Sequence, residues 1–149
     1  MDFSSEYTKQ CEKAMEIQRV WKPCCGDYLL LRHPKDRRVV ILQNGGEDLR
    51  VNFTKHQGFT VLFPSSYGDN TDLKFADDVI WLPRQDQLQM IVIGNKGLQT
   101  VCNMIYQWAI SSEGCKYTTQ GGSMEQLWLS FVMKKKYDKV WNGDEWIWG

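Results

Sequence analysis

Between Tyr28 and Leu82 the chain carries a series of short apolar runs, and these most constrain what it can fold into. They read "GDYLLLRH", "RRVVILQ", "LRVNF", "GFTVLF" and "DDVIWL". Each is rich in β-branched, aromatic or leucine side chains and ends at a turn former, the pattern of a β-strand. Pro34, Lys35 and Asp36 separate the first two, which reads as a hairpin. "NGGED" is a turn, Pro64 ends the fourth run, "SSYGDNTD" is a polar loop, and Pro83 ends the fifth run. Connections this short favour antiparallel pairing, because a parallel crossover needs about a dozen residues or more. "YLLL" and "VVIL" are continuously apolar, so strands covered on both faces are expected.

The two ends of the chain follow a different period. Phe3, Tyr7, Cys11, Ala14, Gln18 and Trp21 recur at spacings of three and four, which predicts a helix from Ser5 to Val20, stopped by Pro23. Beyond the strands, Pro83 suits the first position of a helix running through "RQDQLQMIVI" to Gly94. Leu98, Val101, Cys102, Ile105 and Ala109 form a second stripe, with Trp108 beside it. Gly114, Gly121 and Gly122 bracket what reads as a mobile polar connection. Ser123 and Gln126 fit a capping box, followed by an apolar face of Met124, Leu127, Trp128, Phe131 and Val132. Lys134, Lys135 and Lys136 fall in the last turn, where cations offset the helix dipole. Asn142-Gly143 is a hairpin signal expected to fold Trp146 and Trp148 back onto the body. The fold class is therefore α+β: a small antiparallel sheet with an N-terminal helix and C-terminal helices, in a single domain over residues 1–149. An SH3-like partial barrel over residues 24–82 is a subsidiary expectation.

Several chemistries find little support. Eighteen basic residues balance eighteen acidic ones, whereas proteins that neutralise many phosphates usually carry net positive charge. No apolar run approaches the roughly 20 residues that cross a bilayer, and the N-terminal residues lack a signal-peptide pattern, so a cytoplasmic protein without a membrane partner is expected. Five cysteines, two of them adjacent, make a poor disulfide framework, and Cys11 and Cys102 read as small core residues. Cys24 or Cys25 with His33 or His56 lacks any nucleophile signature, and "GDNTD" lacks a full calcium-loop ligand set. "QNGGED" has no phosphate-loop spacing. Asp77 with Asp78, and Asp144 with Glu145, are neighbours whose side chains diverge in an extended strand. No catalytic residue, cofactor or metal ligand emerges.

"WLPRQDQLQ" (Trp81–Gln89) and "SMEQLWLSFVMKKKYDKVWNGDEW" (Ser123–Trp146) stand together with an opening like "CEKAMEIQRVWKPCCGDYLL" (Cys11–Leu30). The combination resembles small proteins encoded by phages and prophages of Gram-positive bacteria, a group with no assigned activity. The resemblance implies a prophage origin, a cytoplasmic location and an accessory role, and carries over no catalytic residue.

The leading expectation is a non-enzymatic binding module for a host or phage macromolecule. Its candidate contacts are Arg84, Gln85 and Gln87 at a polar helix start, and Trp141, Trp146 and Trp148 near the C-terminal end. The alternative is a nucleic-acid binder using Arg32, Lys35, Arg37 and Arg38 on the first hairpin, against the reading of those charges as a soluble sheet edge. A third is an enzyme with a pocket that no motif marks.

Overall fold

The structure, a computed structural model, describes residues 1–22, 24–33, 36–42, 50–54, 58–62 and 79–149. For 33, 36–38, 50–54 and 58–62 only the backbone is described. Pro23, Pro34, Lys35, the 44–48 turn, His56, Pro64, the 65–72 loop, Asp77 and Asp78 lie outside the described residues. The elements in chain order are α1 (Ser5–Lys13), α2 (Met15–Val20), β1 (Tyr28–His33), β2 (Asp36–Ile41), β3 (Arg50–Thr54), β4 (Gly58–Leu62) and β5 (Val79–Leu82). They continue with α3 (Gln85–Ile93), α4 (Leu98–Ala109), α5 (Cys115–Thr119), α6 (Met124–Tyr137), β6 (Lys139–Trp141) and β7 (Trp146–Trp148). The class is α+β. Within the span expected to form one domain, contacts cluster into two compact units, residues 21–82 and residues 1–20 with 83–149.

The 21–82 unit holds the strands foreseen in the middle of the chain. β1 is central in an antiparallel sheet of order β2-β1-β5, with Leu30 opposite Val39 on one side and Ile80 on the other. Leu29, Leu30 and Leu31 are consecutive and all buried, so β1 is covered on both faces, as its unbroken apolar run implies. All four residues of β5 are buried as well. β3 and β4 form a separate antiparallel pair. The described strands make an open sheet and a ribbon, and no barrel closes among them, which corrects the SH3-like expectation. Trp21 stacks flat on Trp81, with ring centroids 5.8 Å apart and planes 10° apart. Its indole N–H donates to buried Asp27 at 2.8 Å, and the same Asp27 oxygen accepts from the Cys24 backbone N–H at 2.8 Å. One carboxylate therefore fixes both the aromatic stack and the turn that enters β1.

In the other unit the N-terminal helix is not continuous. Ala14, at φ −83° and ψ 62°, divides α1 from α2. The break leaves the Cys11 carbonyl short of its helical partner, and two groups repair it: the Ala14 N–H at 3.2 Å and the Gln18 side-chain amide at 3.0 Å. Gln18, the polar residue that interrupted the apolar stripe, is thus placed for this repair. Pro83 precedes the next helix by two residues rather than opening it: Arg84 is the N-cap of α3, and its N–H donates to the Gln87 side-chain oxygen at 2.9 Å. The buried Pro83 carbonyl accepts from the Tyr7 hydroxyl.

The last long helix, α6, is the centre of this unit. Its Ser123 cap forms as expected, the hydroxyl accepting from the Gln126 N–H at 3.1 Å while the Gln126 side chain accepts from the Ser123 N–H at 3.4 Å. One apolar face was anticipated. Instead Gln126 through Met133 are all buried, more than two full turns, so the helix is enclosed on every side. α1, α3, α4, α5 and β6 all pack against it. Trp128 meets Phe131 edge-on at 5.8 Å, and buried Trp108 of α4 donates its indole N–H to Ser130 at 3.0 Å. Lys134 bridges to Asp138 at 3.0 Å, and Asp138 ends the helix in a left-handed conformation. The stretch read as a mobile connection contains α5, whose Tyr117 is buried.

Candidate functional site

The C-terminal hairpin forms, with Trp141 opposite Trp146 across β6 and β7. Asn142 closes it, its side-chain oxygen accepting from the N–H groups of Asp144 at 2.8 Å and Glu145 at 2.9 Å. Trp141 and Trp146 are buried, their rings 5.1 Å apart. Trp141 donates to the Glu6 carboxylate at 2.7 Å and Trp146 to the Gln10 carbonyl at 2.9 Å. Both indoles therefore anchor the hairpin to α1. Of the three tryptophans singled out as contacts, Trp148 alone keeps an exposed ring, at 77%, with the Lys139 ammonium 5.5 Å from its centroid.

The polar start of α3 is also occupied by its own structure. Arg84 grips Asp86 through two parallel bonds of 3.0 Å, which hold the Asp86 carboxyl below the usual aspartate value. Gln87 caps the backbone, and Gln85 is half-buried. On the first hairpin, Arg32 is half-buried and pairs in register with Arg37, while Arg38 lies opposite Leu31. The side chains of Arg37 and Arg38, and Lys35 altogether, lie outside the described residues.

A surface that the periodicity concealed lies on α4. Leu98, Cys102, Tyr106 and Ile110 follow at four-residue spacing, and all are exposed, Leu98 at 73%, Tyr106 at 61% and Ile110 at 58%. Only Val101 and Trp108 of this helix are buried. Cys102 had been read as core, and the structure corrects that; Leu98, at the head of the expected apolar stripe, is exposed as well. The stripe read from spacing was the edge of a broader apolar arc, and α6 covers the other edge. The helix sequence, LQTVCNMIYQWA, carries no charged residue in a chain that is 24% charged. Its solvent side is therefore an uncharged apolar ridge bordered by Gln99, Asn103 and Gln107.

Elsewhere Cys11 is buried, and burial pushes its thiol far up, so it is an inert core residue as expected. Cys24 and Cys25 are exposed and unbridged. No group of three or more His, Cys, Asp or Glu among the described residues could hold a metal ion, and no described helix is long and apolar enough to cross a membrane. No family model, curated protein or solved structure matches this chain.

Proposed function

We propose that this protein is a non-enzymatic interaction module, a cytoplasmic accessory protein of prophage origin, whose partner is a protein that lays an amphipathic helix along α4. The observation that carries the reading is the exposed Leu98–Cys102–Tyr106–Ile110 ridge on a helix without charge. Rows at four-residue spacing are the ridges that interdigitate when helices pack. Depletion of charge with retention of Tyr, Met and aliphatic side chains marks the centre of protein interfaces. The prophage assignment rests on the resemblance of the "WLPRQDQLQ" and "SMEQLWLSFVMKKKYDKVW" stretches.

The test is a Leu98→Lys, Tyr106→Lys double variant, used beside the unaltered protein as bait in lysate of a prophage-carrying host, with and without nuclease. Both side chains are solvent-facing, so stability is expected to change by no more than about 0.5 kcal/mol per site. A stoichiometric protein that survives nuclease and is lost from the variant supports the reading. A protein retained by the variant moves the interface to Trp148 or the α3 start. A partner lost on nuclease treatment moves it to the Arg32–Arg38 hairpin and nucleic acid, where binding should fall steeply with salt. A concentration-dependent dimer abolished by the variant would make the occupant a second copy of this chain.

A further inference from the structure

The charges around the α4 ridge narrow the chemistry of its partner, a step that rests on the helix-docking reading above. From Gly94 to Ser112 the sequence holds one charged residue, Lys96. It is exposed two positions ahead of Leu98, and its ammonium donates to the Val92 carbonyl at 3.4 Å. Alongside the ridge, α4 and the end of α6 bound an open groove of about 420 Å³. α4 lines it with Thr100, Asn103, Gln107 and Ser111, and α6 with the exposed Lys135. Among the described residues, Lys135 is the groove's single charge, and no carboxylate reaches its ammonium. The lysine before it is differently placed: Lys134 meets Asp138 at 3.0 Å and feels the charge of Glu113.

Two exposed ammoniums therefore border the apolar ridge, one at its head and one along a flank, and α4 supplies no acid to answer them. Long lysine side chains lay an apolar stem against such a seam and keep the charge at its edge. Where helices pack, the charges that flank the seam decide which partner and which orientation is accepted. A basic border favours carboxylates opposite and penalises ammoniums. It also disfavours a second copy of this chain. A twofold interface sets one patch against itself, so the lysines of each copy would meet a border that is neutral or basic.

We propose that the ridge accepts an acidic amphipathic helix of a different protein, whose carboxylates meet Lys135 across the groove and Lys96 at the head of α4. The experiment titrates the full chain with three designed helical peptides. They share one leucine seam and differ only at the positions beside it, which are glutamate, glutamine or lysine. Trp108, which lines the groove, reports through its indole N–H signal in NMR. At low salt the glutamate peptide should bind saturably, about two- to twentyfold more tightly than the glutamine peptide, as two exposed ion pairs imply. The lysine peptide should be weakest, and the preference should shrink in about 1 M salt. Lys96→Gln with Lys135→Gln should remove the preference, and Lys96→Glu with Lys135→Glu should reverse it. Leu98→Gln with Tyr106→Gln takes away apolar area without adding charge, and should weaken all three peptides. If the peptides bind equally, or the lysine one binds tightest, while that ridge variant loses them all, the acidic partner is overturned and the docking reading stands. If none binds saturably, or the ridge variant binds as well as the unaltered chain, both fall. Self-association of the unaltered chain in sedimentation, lost in the ridge variant, would overturn the acidic partner in favour of a second copy.

Discussion

Gly114 shows how a single position can be dictated from a distance. A Cβ added there would lie 2.0 Å from the Trp108 carbonyl oxygen and 2.7 Å from its carbon. Ser111 accepts the Gly114 N–H at 3.1 Å and donates to the same Trp108 carbonyl at 2.7 Å, so the backbone has no slack to retreat. Gly114→Ala should therefore cost about 1–3 kcal/mol, measured by urea denaturation. Acid sensitivity is also set by individual side chains. Burial by itself would raise the Asp2 carboxyl, but hydrogen bonds from the Ser123 hydroxyl and from Ser4 outweigh it and hold the pKa below 3.8. Burial likewise opposes, and the Lys139 partner overcomes, at Glu16, which sits below 4.5. A carboxyl lowered by folding contributes stability that is complete above its unfolded value and lost as pH falls through its folded value. Melting temperature should thus begin to drop as pH passes 4.5 and 3.8, and Asp2→Asn with Glu16→Gln should make that drop shallower. Ser123 and Gln126 were readable as a cap because the motif is local. The need for glycine at 114 was not, because the group it avoids is placed by tertiary packing.

For whole elements, local signals and tertiary outcomes part company in a regular way. The Asn142-Gly143 hairpin was legible from a few residues, and so was the start of α6. Which faces would be buried was not. Trp146 and Trp148 are two apart and project to the same side of β7, yet only the first reaches α1. Trp141→Ala should accordingly cost roughly 3–5 kcal/mol, whereas Trp148→Ala should change stability by about 0.5 kcal/mol or less. Thermal melts of the two variants, taken side by side, test that contrast. The break at Ala14 was hidden for a similar reason. Alanine is the strongest helix former, so propensity argues against a break there. The break is sustained by groups outside the regular ladder, above all the Gln18 amide on the Cys11 carbonyl. α4 misled in the opposite direction: spacing identifies an apolar arc but is silent on how much of it the rest of the protein covers.

Taken whole, the molecule has the class its pattern of runs announced, with strands in the middle, helices before and after them, and a short hairpin at the C-terminal end. Its division into a contiguous 21–82 unit and a discontinuous 1–20 plus 83–149 unit left no mark in composition, because no proline- or glycine-rich linker stands at either crossing. The Tyr7 hydroxyl on the Pro83 carbonyl, and the bonds from Ser123 to Asp2 and from Gln126 to Ser4, join segments 76 or more positions apart in the chain. Such a layout bears on how the protein is made. α1 leaves the ribosome well ahead of α6, the helix it packs against, which begins only at Met124. At roughly 5–20 residues per second, α1 waits about 6–24 s for that partner to be translated. Through that interval the apolar side of α1 is a target for chaperones that bind nascent chains and for neighbouring nascent chains. Slow codons just before Met124 would lengthen the wait and lower the yield of folded protein without altering one amino acid.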